Sequence, residues 1–469
     1  MQESQLIVIL KTFSKKELRE LEKWLESPSH NQRQDVRLLL RYLTSHDTLD
    51  REKQLKKEKI FAKIFPREPF DDAKLRQTMH FLLRAVEEFL VYEEFQENTT
   101  FNKVLLATAY RKRKLDKPFH KAIRTAEEAQ TSHFYQHEDY LRNTYLIEQE
   151  KNIFQSARER TTRMNFQELS DTLDTSYVAS KLLHSCAMLS HQAVYKIPYD
   201  TGLLPEVLQF VEQKSLLHVP AIAIYYYIYR MLTEADEPKY FEELLLQIQS
   251  NGHLFPIAEI QVPYLHAINY CMRKVNLGES AYLRTSFELL KQGLAKNIFI
   301  INGILDPNTF INVALHGFRL QELEWLDYFI HHYKDYLEEQ HRDNFYRFTL
   351  ARLRFEQKDY DAAMLLLAQT DFDDILIQLN AKTMLLKMYY ELEETDALES
   401  LLESMRTYVN RKEVLSYHRS NYQNIIRYTK KLVRLNHYDN PRKEKLRQEI
   451  TTANPLTERD WLLRQLDKI

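Results

Sequence analysis

Glycine is almost missing from this chain: 6 residues in 469, none of them before Gly202. An ordinary domain carries about 7%. Glycine supplies the positive φ that two-residue hairpins and phosphate-cradling loops require. Its scarcity points away from β-rich folds and toward helix after helix, joined by short turns. Cysteine is scarcer still. Cys186 and Cys271 alone cannot build a disulfide framework or a cysteine zinc cluster. Two reduced, buried thiols fit a cytoplasmic protein, which is the expected location. No basic residue precedes the apolar run Leu6–Leu10, so a secretory leader is not expected. No apolar stretch approaches the ~20 residues of a membrane span. The best one, Val219–Leu232, is short and rich in tyrosine. Net charge is missing too: 65 Lys and Arg against 67 Asp and Glu leave −2. The chain as a whole has no electrostatic pull toward nucleic acid or anionic lipid.

Enzyme motifs are equally scarce. There is no glycine-rich phosphate loop, nucleophile elbow or HExxH. His133 and His137 stand at i and i+4, which on a helix is a spacing zinc can use. The glutamate that normally lies between them is absent, and with 17 histidines such a spacing arises by coincidence. His184, Cys186 and His191 form a looser group, and His331-His332 points two ways. No catalytic residue, cofactor or metal is expected.

What is present is apolar and aromatic: 44% apolar residues, with 29 Tyr and 24 Phe. Big rings fill the space between packed helices. Ser14 and Glu17 spell a capping box, and Phe13 with Leu18 a hydrophobic staple. The helix they start carries Leu18, Leu21, Trp24 and Leu25 on one face. A second follows through Val36, Leu39, Leu40 and Leu43, and a third through Leu55, Ile60 and Ile64. Asp71-Asp72 then opens a long helix whose seam is Leu75, Met79, Leu82, Val86 and Phe89. That spacing of four, three, four, three suits a helix lying lengthwise on partners. Residues 1–97 read as a small helical head that ends at Asn98-Thr99-Thr100. Residues 98–435 read as an array of helical hairpins, and 436–469 as capping helices. One break falls between Asn302 and Pro307, and negligible sheet is expected.

Leu350, Ala351, Phe355, Ala363 and Leu367 recur as Met384, Leu385, Tyr389, Ala397 and Leu401, each pair 34 residues apart. A degenerate earlier unit shows Ala314, Phe318, Leu326 and Ile330 at an offset of 37. A 34-residue helix-turn-helix period is the tetratricopeptide signature. The segment from Leu350 to Ala363 resembles that family, with Tyr360 and Ala363 at its helix-B tyrosine and its small alanine. Lys358 and Leu392 replace the family's turn glycine, and Glu394 replaces the tyrosine of the second unit. Over residues 345–410 the resemblance implies an all-α solenoid of tetratricopeptide-like hairpins. In that family, fixed positions on the first helix of each unit line a concave groove. Carried over, they are Phe348, Arg352 and Glu356, then Lys382, Leu386 and Tyr390.

Two basic stretches stand against the neutral total. Residues 103–124 hold eight Lys and Arg against Asp116 alone, and residues 405–450 hold twelve against four acids. Between them, residues 371–403 carry nine acids against two lysines. In the second stretch Tyr417, Tyr422 and Tyr428 interleave with Arg419, Arg427 and Lys430. That pattern can serve single-stranded nucleic acid, but nucleic acid is not expected as the partner of a neutral protein. The run Tyr225–Tyr229 covers nearly every side of its helix, as a sandwiched helix does. The expected function is a non-enzymatic scaffold or adaptor binding another protein or a peptide in its groove. The alternative is a regulator whose head contacts DNA or a partner while the array senses a peptide.

Overall fold

The structure is a computed structural model, and it describes residues 3–45, 48–157, 164–368, 375–411, 416–436 and 439–469. Residues 371–374 of the acidic run and 412–415 of the basic run lie outside the described residues, as does the Tyr417 side chain. The chain divides into two compact units, Met1–Lys181 and Leu182–Ile469.

The first unit begins with α1 (Gln5–Lys11), α2 (Lys15–Glu26), α3 (Gln34–Thr44), α4 (Lys57–Ile64) and α5 (Asp72–Glu97). The capping box forms: Glu17 N–H donates to Ser14 Oγ at 3.2 Å, and Ser14 N–H to Glu17 Oε2 at 2.6 Å. The apolar run near the start becomes α1, which buries Leu6, Ile7 and Leu10. These join Leu21, Leu25, Leu39, Leu43, Ile60 and the α5 seam in one core, with Met79 partly buried against it. Asp35 ties α3 to α5 by accepting from Arg33 at 2.7 Å and Thr78 at 3.0 Å. Burial opposes its charge, but these donors hold the carboxyl below its usual range. Then come α6 (Thr99–Lys112), α7 (Asp116–Ser132) and α8 (Glu138–Ser156). Phe119 of α7 stacks on Phe154 of α8 at 3.8 Å, and Arg111 of α6 pairs with buried Glu150 at 2.6 Å. The long helix α9 (Phe166–Tyr195) runs through the division.

The second unit continues with α10 (Leu204–Gln213), α11 (Pro220–Thr233), α12 (Pro238–Asn251), α13 (Ile257–Asn276) and α14 (Ala281–Ala295). Next are α15 (Pro307–Arg319), α16 (Leu323–Tyr333), α17 (Glu339–Glu356), α18 (Tyr360–Ala368), α19 (Ile375–Glu391) and α20 (Thr395–Arg411). It closes with α21 (Ser416–Val433), α22 (Asn440–Thr452) and α23 (Arg459–Lys468). Neighbours pack in pairs: α11 with α12, α13 with α14, α15 with α16, α17 with α18, α19 with α20. First helices also touch first helices, α15 with α17 and α17 with α19. Tyr225, Tyr226 and Ile228 of α11 are buried, as a sandwiched helix requires.

The break between α14 and α15 holds a feature the all-α reading did not specify. Ile300–Ile301 and Ile304–Leu305 pair as a minimal antiparallel hairpin. Its turn is Asn302-Gly303, with φ of 52° and 79°. Asn-Gly is the strongest short hairpin signal, because both turn residues need positive φ.

The helix ends show how a glycine-poor chain turns. Lys114, Asn297, Gln321, Lys358 and Glu393 all adopt left-handed φ, between 57° and 66°. In each case the next residue's N–H bonds back five residues, at 2.8 to 3.0 Å: Leu115 to Tyr110, Ile298 to Gly293, Glu322 to Gly317, Asp359 to Arg354, Glu394 to Tyr389. These are Schellman closures, which satisfy carbonyls the helix leaves open. Glycine takes the same place only at Gly278, where φ is 98°.

The turns also fix the repeat. Lys358 and Glu393 are 35 residues apart, not 34, and Leu392 is not the left-handed residue. The buried positions follow: Ala351 with Leu386, Leu353 with Met388, Ala363 with Leu398, Leu367 with Leu402. Ala397, expected at the close helix contact, is only half-buried. The earlier unit keeps its offset of 37, with Gln321 ahead of Lys358 and Ala314, Phe318, Leu326 and Ile330 all buried.

Two outcomes follow from these turns. Lys114 is exposed. Glycine there relieves about 1–2 kcal/mol of left-handed strain and loosens the unfolded chain by about 0.4–1 kcal/mol. Urea denaturation of Lys114→Gly is therefore expected to show a net gain of roughly 0.5–1 kcal/mol. Ala363→Leu is expected to cost about 1–3 kcal/mol by overpacking, and Ala397→Leu under about 0.5 kcal/mol. Equal losses in thermal melts of the two variants speak for the 34-residue register.

Candidate functional site

Of the six groove positions named from sequence, Phe348 and Leu386 fall into two separate cores, and Tyr390 packs at the edge of the second. Phe348 is a core side chain, packed with Ala351, Phe355 and Ala363. Leu386 is fully buried in the next core, with Leu398, Leu402, Trp461 and Leu466. Neither offers a surface to a partner. Arg352 and Glu356 form an ion pair at 3.0 Å, and the Arg352 guanidinium lies 5.5 Å over the Phe318 ring. Lys382 donates to Ser404 Oγ at 3.2 Å. Tyr390 packs edge-on against Trp461, ring centres 5.4 Å apart. It also lines a cleft of about 600 Å³ with Tyr360, Tyr389, Thr395, Leu398 and Gln465.

With the 35-residue register, the counterparts of Arg352 and Glu356 are Lys387 and Glu391. These two were missed from sequence, and they are the most heavily engaged charges in this region. Lys387 is buried, with Nζ 2.9 Å from Glu458 Oε2 and 4.8 Å over the Phe355 ring. Glu391 accepts four donors. Trp461 Nε1 and Gln465 Nε2 reach Oε1 at 2.8 and 3.2 Å. Lys358 Nζ reaches Oε2 at 3.2 Å, and Tyr360 OH donates to the same oxygen. Trp461 and Gln465 belong to α23, and Glu458 precedes it. The C-terminal helix packs on α21 and α22 and also reaches the last turn of α19, anchored by one indole and clamped by buried Lys387 and half-buried Glu391.

The metal reading takes a correction. His133 ends α7 and His137 precedes α8, so the two sit in a turn and not on one helix face. Their rings are 6.1 Å apart, and His133 Nδ1 is bonded to Tyr135 O at 2.9 Å. Among the described residues no three His, Cys, Asp or Glu side chains are grouped to hold a metal. Burial pushes both thiols up, so Cys186 and Cys271 stay protonated. Cys186 donates to Tyr225 O at 3.2 Å. His191 is bonded to Tyr199 OH at 2.8 Å. No described helix is long and apolar enough to cross a membrane.

The chain matches no protein-family model, no curated protein and no solved structure.

Glu391 makes stability depend on acid. Burial opposes its charge, yet the hydrogen bonds from Tyr360, Trp461 and Lys358 outweigh burial and hold its pKa below the ordinary 4.5. The network's stabilisation is complete above that pH and declines as pH falls toward the lower folded value. Glu391→Gln leaves donors facing an amide N–H₂ and is expected to cost about 2 kcal/mol at pH 7. Urea midpoints of wild type and variant should converge on acidification. A gap that stays constant down to pH 3.5 removes Glu391 from this role.

Proposed function

We propose that this chain is a non-enzymatic scaffold that holds an amphipathic helix of a partner protein. The reading takes the pairs of the second unit as a tetratricopeptide-like solenoid, with the partner on the face of the first helices. The observation that carries it is α23. The chain's own amphipathic helix, with Trp461, Leu462, Gln465 and Leu466 turned inward, packs on α21 and α22 and reaches that face at the last turn of α19. It uses the pairing of an aromatic anchor with polar clamps that suits helix-in-groove recognition.

The preceding pairs present the matching positions uncovered by α23. At the offset of 37, Leu315 of α15 is the counterpart of Arg352, and its side chain is 44% exposed. Ile311 stands one turn before it, partly buried. Leu315, Arg352 and Glu356 supply an apolar contact beside an ion pair, at the positions whose counterparts Lys387 and Glu391 meet Glu458, Trp461 and Gln465. Two buried, unpaired thiols fit work in a reducing compartment such as the cytoplasm.

The test is selection of helical peptides from a displayed library against the full chain. Selected peptides are expected to bind Leu315→Asp/Arg352→Glu at least tenfold more weakly, while its circular dichroism matches wild type. Selection of no peptide, or equal binding by the folded variant, rules this face out.

A further inference from the structure

Helix α21 is amphipathic. It buries Tyr422, Ile425, Ile426, Tyr428 and Leu432 and turns Arg427, Lys430, Lys431 and Arg434 outward. The four cations recur at i, i+3, i+4 and i+7, one stripe of an α-helix. Across from them, α22 presents Arg442 and Lys445. The two stripes wall a cleft of about 480 Å³ lined also by Leu435 and Leu446, and whose single acid among the described residues is Glu449.

Six cations lining one small cleft repel one another unless countercharge is supplied. Three have it within the protein. Lys430 pairs with Glu403, Lys431 with Glu449, and Arg442 with Asp439 at 3.1 Å. The Arg427 guanidinium lies 4.5 Å over the Tyr428 ring and donates to its hydroxyl, a contact that leaves its charge uncompensated. Arg434 and Lys445 form no ion pair among the described residues; Lys445 and Arg427 share with Lys431 the single charge of Glu449, whose carboxyl they help hold below its usual range, so six cations face three carboxylates. Three positive charges thus converge on a space that holds only a small molecule.

We infer that this cleft is a binding site for a compact, multiply charged phosphate ligand. Each phosphate group brings about −1.5 to −2 charges, so two of them balance the three free cations within the cleft. In an acidic peptide each carboxylate carries one charge, so three of them need three side chains in the same volume. Guanidinium forks such as those of Arg427, Arg434 and Arg442 also meet phosphate oxygens two at a time. A nucleic-acid strand is disfavoured. None of the described residues lining the cleft is aromatic, and the tyrosines that interleave with the cations in sequence, Tyr422 and Tyr428, are buried beneath them. Base stacking, which gives single-strand sites much of their affinity, finds no platform among the described residues of the cleft.

Titration calorimetry of the full chain with inorganic tripolyphosphate tests the inference. Saturable one-to-one binding is expected, weakening as salt rises from 50 to 200 mM. Arg434→Ala/Lys445→Ala should lose at least tenfold in affinity with an unchanged melting temperature. Glu449→Gln frees Lys431 and removes the only acid, so it should bind several-fold more tightly, a gain that misfolding cannot produce. The inference fails if wild type shows no saturable binding or if the double variant binds equally well. It also fails if a poly-glutamate peptide or a short oligothymidine binds as tightly as tripolyphosphate. None of these outcomes bears on the helix-holding face, which is read through different residues.

Discussion

Helix pairing in this protein depends on single residues held in a left-handed conformation. A helical pair needs the chain to reverse within three or four residues, and the reversal needs positive φ at the residue that ends the first helix. Glycine does this without strain, but lysine, asparagine, glutamine and glutamate do it here. Each of these turns is held by the bond from the following N–H back into the helix. Two of the few glycines serve another need. A Cβ on Gly293 would meet the Phe299 ring at 2.2 Å, and one on Gly317 would meet Leu326 at 2.7 Å. Contacts that close cannot accommodate any side chain, whereas a left-handed turn residue costs only about 1–2 kcal/mol. At these two positions glycine sits where nothing else fits, and most of the helix-ending turns take the tolerable strain on other residues.

The Glu391 network shows how one such turn reaches the rest of its neighbourhood. Lys358 is the left-handed residue between α17 and α18, Tyr360 begins α18, and Glu391 ends α19. Trp461 and Gln465 bring α23 to the same carboxylate. A turn, two helix ends and the C-terminal helix therefore share one buried charge. Removing it strands four donors at once, which is why buried networks are stable only when complete. The same carboxylate is saturated by the protein itself, so the side-chain charges left to the adjoining tyrosine cleft are those of Glu393 and Lys468.

Much of this was legible in the sequence, and the failures have physical reasons. The Ser14–Glu17 capping box and the α5 seam were readable because both are local patterns on one helix. The minimal hairpin was readable as well, from Asn302-Gly303 between apolar dipeptides, and was passed over because strands of two residues carry no period. The repeat was found but placed one residue short. A slip of one residue turns a helix by about 100°, enough to exchange half-buried Ala397 for buried Leu398. The same slip put buried Leu386 on the expected groove face and hid Lys387 and Glu391. Tyr390 still reached the cleft because it neighbours Glu391. That α23 packs back on α19 was not legible, since no local signal says where a terminal helix docks.

Charge segregation along the chain resolves into pairing across helices. The acidic run supplies Glu391 to Lys358 and Glu403 to Lys430, so the blocks neutralise one another where α19 and α20 meet their neighbours. The neutralisation stops at the outer stripe of α21 and the facing residues of α22. There the acids available are Glu403, Glu449 and Asp439, against a longer row of cations. Burying Tyr422 and Tyr428 fixes which way that stripe faces, because their neighbours at 427, 431 and 434 must then point to solvent. Core packing on one side of α21 therefore concentrates uncompensated positive charge on the other. A protein with almost no net charge carries in this way a local cation site that its total composition conceals.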